Sequence, residues 1–179
     1  MTGLERIIAS GLPRELIVFI IAALPVAELR GSLPVAINVF HMPWQVALPL
    51  SIAGNLLPVP IILLFLGSVV RLCSRFGIGA RFFERLFAWV RRKEDAVQKY
   101  GKLGLCIFVG IPLPATGAWT GALLAFLLGF NLRYSLLSIA GGVIMAGVIV
   151  TALCLLGIWG AVIAGVGVAV IAALGLRKT

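Results

Sequence analysis

Residues 24–34 read Leu24-Pro25-Val26-Ala27-Glu28-Leu29-Arg30-Gly31-Ser32-Leu33-Pro34, and they interrupt sequence that is otherwise almost wholly apolar. Before them runs Leu16 to Ala27, and from Gly31 to Val70 there are 40 residues without a charge apart from one His. Two readings compete. Leu16 to Phe40 is either one kinked spanning helix that tolerates Glu28 and Arg30, or a hairpin that turns at Ala27 to Ser32 and returns to the side it entered. On a helix, residues two apart point about 200° from each other, so one protected interior could not hold both charges. A lipid-facing charge near mid-membrane costs roughly 2.5 to 3.5 kcal/mol or more. A non-helical tip packed against protein removes the conflict, because irregular backbone at membrane depth is tolerated only where protein or a wet cavity covers it. The spacing therefore favours the hairpin, with Gly31 giving the turn its freedom, Ser32 capping an arm from Leu33, and Pro34 in that arm's first turn.

The rest of the chain sets the scale for this reading. Of 179 residues 61% are apolar and 12% charged, with mean hydropathy +1.15, whereas a soluble domain carries roughly 25% charged residues. Two further charge-free runs, Leu103 to Leu132 (30 residues) and Tyr134 to Leu176 (43 residues), exceed the roughly 20 apolar residues a spanning helix needs. An all-α integral membrane protein with several passes follows. Leu16 to Ala27 is not a secretory leader, since Glu28 and Arg30 follow it in place of a small-residue cleavage site. The net charge of +9 points away from nucleic acid, because residues 71–102 hold nine basic and three acidic residues. That stretch is a membrane loop, placed on the cytoplasmic side of the inner (plasma) membrane by the positive-inside tendency. Within it Phe82, Phe83, Leu86, Phe87 and Val90 recur at helical spacing, which predicts an amphipathic helix lying on the membrane surface.

The second half echoes the first. Leu24-Pro25 returns as Leu113-Pro114, Gly31 as Gly121, Phe40 as Phe130, and Ser51-Ile52-Ala53-Gly54 as Ser138-Ile139-Ala140-Gly141, all 87 to 90 positions on. Each copy reads as a short arm, a Gly/Pro break, a second short arm and one long apolar segment. The whole is a single membrane domain: repeat one over about 12–70, the linker over about 71–102, repeat two over about 103–158, and a C-terminal helix over about 161–176. If hairpin one opens outward, hairpin two opens inward and their tips face each other, an inverted repeat. Pro25, Gly31 and Pro34 break the first hairpin; Pro112, Pro114, Gly117 and Gly121 break the second.

Facing tips bring helix ends and bare backbone to mid-membrane, where inverted-repeat transporters hold substrate. Arg30 matches phosphate oxygens through two parallel hydrogen bonds. Glu28 is the one acidic group at that depth, suited to exchanging a proton or recognising a cation. The plain alternative is an ion pair between the two that merely holds the tip, although buried pairs are weak devices for stability. Ser32 belongs to the same tip. Asn55, ahead of Pro58 and Pro60, either lines a cavity or satisfies a proline kink. Thr116, Trp119 and Thr120 are the second tip's candidates. Trp44, after His41 and Pro43, sits where an interface anchor belongs, and Arg133 marks a membrane boundary. Cys73, Cys106 and Cys154 have neither redox nor metal spacing and are read as packing residues. No catalytic motif, metal set or cofactor signature is present.

The stretch Glu28-Leu29-Arg30-Gly31-Ser32-Leu33-Pro34-Val35-Ala36-Ile37, then Gly54-Asn55, then Pro112-Leu113-Pro114-Ala115-Thr116-Gly117-Ala118-Trp119-Thr120-Gly121, resembles the small multidrug export protein family. That family is similar in plan to the DedA superfamily, whose members carry two re-entrant hairpins and include lipid scramblases and polyprenyl-phosphate flippases. The acidic and arginine residues of the DedA hairpins match here at Glu28 and Arg30. The resemblance implies transport. Arg30 points to a small amphiphilic substrate such as a phosphate-bearing lipid, Glu28 to coupling with protons, and the small size of the chain to a homodimer among membrane lipids. The rival readings are a proton-coupled exporter of cationic lipophilic drugs and a membrane scaffold that moves nothing.

Overall fold

A computed structural model describes residues 12–73, 88, 94–113, 116–163 and 165–167. Among these the regular structure is helical, with no strand. The expected amphipathic surface helix at Phe82 to Val90, Pro114 and most of the C-terminal helix lie outside the described residues.

Helix α1 (Arg14–Ala23) stops where the sequence puts a proline. Leu24 precedes Pro25 and is extended (φ −74°, ψ 139°), the conformation that the proline ring imposes on the residue before it. The chain turns over 24–27 and enters α2 (Glu28–Pro34). Behind Pro34, which cannot donate to the preceding turn, the helix widens into a π-helical turn, π1 (Val35–Val39), a usual relief for a proline inside a helix. His41 (φ 51°) then turns the chain into α3 (Trp44–Leu56) and α4 (Pro58–Cys73). Leu57 keeps helical angles, so Trp44–Ser68 forms one apolar rod of 25 residues.

The second half follows the same order. Helix α5 (Glu94–Gly110) is broken at Gly101 (φ 53°), α6 is Ala118–Leu127, and Gly129 (φ 65°) turns the chain into α7 (Leu132–Leu155), whose first turn is capped by Asn131 Oδ1 accepting from the Arg133 amide at 3.2 Å. Such a cap is worth about 1 kcal/mol. Helices of about 10 residues are roughly 15 Å long, half of a roughly 30 Å hydrocarbon core. That length applies to α1 and α6, whereas Trp44–Ser68 and Leu132–Leu155 are long and apolar enough to cross. Only 22% of the first and 39% of the second is buried, so neither is the core helix of a soluble domain. Leu103, Leu137, Val148 and Trp159 lie exposed on the outside, the surface that lipid covers.

Glycines set the tightest helix contacts. A Cβ at Gly54 would stand 2.5 Å from the Phe19 carbonyl oxygen, and one at Gly142 would stand 2.6 Å from the Cys106 carbonyl oxygen. So α1 lies on α3, and α5 on α7, backbone against backbone, the close approach that small residues permit between membrane helices. Leu33, Leu105, Leu124, Ile139 and Val143 fill the core where these pairs meet.

The break differs from the expected one. It falls at 24–27, while Glu28, Arg30, Gly31 and Ser32 are all helical. Pro25 decides its position and the charges do not. Ser32 caps nothing and is fully buried mid-helix, Gly31 is no turn residue, and Pro34 closes α2 rather than opening an arm. Nor is the turn itself covered, since Leu24, Pro25 and Val26 are exposed. In the second copy Pro112 and Gly117 lie in the break, whereas Thr120 and Gly121 belong to α6.

Candidate functional site

The two charged side chains of α2 reach the same place by different routes. Glu28 has a left-handed backbone (φ 48°), uncommon for a residue with a side chain, and this frees its carboxylate from the helical direction that would have pointed it away from Arg30. It is buried and lies over Gly117, where any Cβ would collide with the carboxylate. Its Oε1 accepts from the backbone amide of Trp119 at 3.3 Å. Trp119 is the second residue of α6, and Gly117 before it offers no capping side chain. Glu28 therefore supplies the α6 N-terminus with the acceptor and the negative charge that a helix start favours.

Arg30, half-buried two residues on, donates through Nη2 to the Thr116 carbonyl oxygen and to Thr116 Oγ1 at 3.3 Å. Thr116 is held by its own break: its hydroxyl lies 2.7 Å from the Ile111 carbonyl and 2.8 Å from the Leu113 carbonyl, and accepts from the Leu113 amide at 3.2 Å. A third link runs the other way, with Trp119 Nε1 donating to the Ala23 carbonyl at 3.1 Å. That carbonyl is one of those left open at the end of α1. The first break thus gives two charges and a carbonyl, and the second answers with a backbone amide, a backbone carbonyl and an indole N–H. Glu28 and Arg30 each turn to the second break, so the simple clasp between them is not the arrangement adopted.

Two cavities meet at Arg30. One, of about 580 Å³, is lined by Arg30, Asn38, Pro112, Ile149, Leu153 and Cys154 among others, a volume within the usual range of small-molecule sites. Its wall is mostly aliphatic, with the guanidinium and Asn38 as its polar features. The other, of about 10 Å³, lies between Glu28, Arg30 and Asn55, closed by side chains of α5 and α7.

Of the residues singled out from the sequence, Glu28, Arg30, Thr116 and Trp119 are brought together, and Asn55 joins them through the smaller cavity. Ser32 and Thr120 line neither cavity. Gly117 matters as the seat of a carboxylate and not only as a hinge. Asn38 and Cys154, which line the large cavity, gave no sequence signal, since the π-helical turn shifts Asn38 out of simple helical phase and Cys154 looks like any packing residue.

Short helices packed on two apolar helices long enough to span, with Glu28 buried and Arg30 half-buried at their meeting point, describe an all-helical membrane protein. The chain belongs to the family described as "Putative small multi-drug export protein", which matches residues 28–149, more than half of its length. The match begins at Glu28 itself. No curated protein and no solved structure matches the chain.

Proposed function

We propose that this protein is a membrane transporter built from an inverted repeat of re-entrant hairpins on the DedA plan, and that it moves an amphiphile with an anionic, phosphate-bearing head, exchanging a proton at Glu28. The observation that carries the reading is the position of Arg30, which lines a largely aliphatic cavity of about 580 Å³ while its Nη2 is engaged by a backbone carbonyl. A neutral carbonyl is a weak partner for a guanidinium, and a phosphate offers a charge-assisted bidentate one. A phosphate head entering the cavity competes with Thr116 for Arg30 and loosens one tip link. Protonating Glu28 removes the charge that the α6 N-terminus prefers and loosens another. Release of both lets the breaks part, and their re-formation on the other side returns the transporter to its start.

The recurrence of backbone detail supports the repeat. Phe40 bonds back to the Val35 carbonyl at 2.9 Å as Phe130 does to Ala125 at 3.0 Å, left-handed residues 41 and 129 follow, and the Phe19–Gly54 approach returns as Cys106–Gly142. In this reading the chain lies in the inner membrane as a homodimer, with residues 71–102 on the cytoplasmic side. The family's description names multi-drug export; were the drugs cationic and lipophilic, export would place a cation beside a fixed guanidinium, and Coulomb repulsion weakens that reading.

The test is translocation of fluorescent polyprenyl-phosphate and phospholipid analogues in proteoliposomes, with and without a pH gradient. Wild type moves the phosphate lipid, Arg30→Ala does not, and Glu28→Gln loses the gradient dependence. Folded wild type that moves cationic dyes and no lipid overturns the assignment in favour of drug export.

A further inference from the structure

Four buried side-chain oxygens, of Ser32, Ser51, Asn55 and Thr151, have no hydrogen-bond partner among the described residues. Asn55 differs from the other three in that it also lines the small cavity beside Glu28. A buried amide oxygen without a donor is costly, and Asn55 shares this cavity with a carboxylate, which when ionised is likewise an acceptor only. Two acceptors on one void call for something that gives two hydrogens. The void, about 10 Å³, is near the space that a single water requires, and buried waters are found where two to four polar groups converge.

We infer that one water molecule bridges the Glu28 carboxyl and the Asn55 side-chain oxygen, and that Asn55 is a positioning residue through which protons reach and leave Glu28. The inference rests on the reading that Glu28 exchanges protons. A sodium ion is the competing occupant, but Arg30 lines the same void and repels a cation, and the wall offers few oxygen ligands. Among the described residues lining the void, Arg30 is also the one other charged group. What α5, α6 and α7 present to the void is aliphatic or glycyl: Val109, Ala118, Val143, Ala146 and Val150, with Gly117 from the break. With Glu28 buried and seated on Gly117, the Asn55 side is its polar approach.

The experiment is infrared spectroscopy of purified protein in lipid nanodiscs, following the protonated Glu28 carboxyl band, assigned by its loss in Glu28→Gln, after a jump into deuterated buffer. No substrate is involved, so failure here and failure of the transport assay are separate results. In Asn55→Leu, which removes the acceptor and fills the void, the band moves to higher wavenumber and its exchange slows by about tenfold, as losing the bridging water's hydrogen bond implies. In Asn55→Ala, which enlarges the void and keeps it wet, exchange stays fast. An unchanged band and rate in folded Asn55→Leu overturns the inference, as does equal slowing in both variants. A band that moves when sodium replaces potassium at constant pH in wild type puts a cation in the void instead of water. Should Asn55→Leu fail to fold, Asn55→Val is read against Asn55→Ala by the same criteria.

Discussion

The two breaks are alike in place and opposite in chemistry. The first, at 24–27, is followed at once by a carboxylate and a guanidinium; the second, at 111–117, has no charge and meets them with the Trp119 amide, the Thr116 carbonyl and the bare surface of Gly117. A second copy of the charges would have set guanidinium against guanidinium in a poorly screened interior. Fixed dipoles on one side and mobile charges on the other give complementarity with one set of ionisable groups. The uncharged tip is thus the receptor for the charged one. The same difference puts the carboxylate and the guanidinium on a single helix, so in the proposed transport cycle proton and substrate would act on one joint.

The sharpest way to break this pairing is to spoil the seat. Gly117→Val drives a side chain into the Glu28 carboxylate, and the overpacking costs about 3 kcal/mol in denaturant unfolding of the detergent-solubilised protein. A double-mutant cycle decides whether that contact is the reason. In a Glu28→Ala background the share of the cost that comes from this collision disappears, and the share set by the Gly117 backbone (φ 159°, ψ −172°) remains. If it persists undiminished, Gly117 is required by the backbone of the break and not by the carboxylate, and the complementarity argument loses its centre.

How much of this could be read from the sequence follows from which physical signals are local. Membrane class was legible because 61% apolar content and charge-free runs of 30 residues and more leave no alternative. Glu28 and Arg30 stood out by their isolation, and Thr116 and Trp119 by position. The break itself lies a few residues before the position that the isolated charges suggest, because Pro25 holds Leu24 extended and so ends α1 there. Helical phase misled in turn. The two-residue spacing of Glu28 and Arg30 forbids a shared target on an ideal helix, and the left-handed φ of Glu28 removes that prohibition. A backbone angle that depends on a tertiary contact has no local sequence signal. The partner of Glu28 was hidden for the same reason: it is the Trp119 amide, which any residue there would have supplied.

Removing the charge rather than the seat gives a smaller effect. Glu28→Ala leaves the Trp119 amide without its acceptor and the α6 N-terminus uncapped, at a cost of about 2 kcal/mol, while Glu28→Gln keeps a carbonyl acceptor and recovers about half of it. Thermal unfolding of the three proteins in one detergent separates the cases. Equal losses in Ala and Gln would show that the negative charge alone is what α6 requires.

The smallest expected effect tests the one link that runs from the second break to the first without a charge. Trp119→Phe keeps most of the ring's packing and deletes the N–H that reaches the Ala23 carbonyl. A neutral hydrogen bond of this kind contributes about 1 kcal/mol. The carbonyl it serves is at the end of α1, beside an exposed turn, so water or a lipid headgroup can replace the donor in part, and the loss should fall at or below that figure in the same unfolding assay. The charged links lack such substitutes, because Glu28 is buried and its partner amide starts a helix. If Trp119→Phe proves as costly as Glu28→Ala, the breaks are held by shape and neutral bonds throughout. Titrating Glu28 would then have little leverage on whether they part, and proton exchange could not drive the joint.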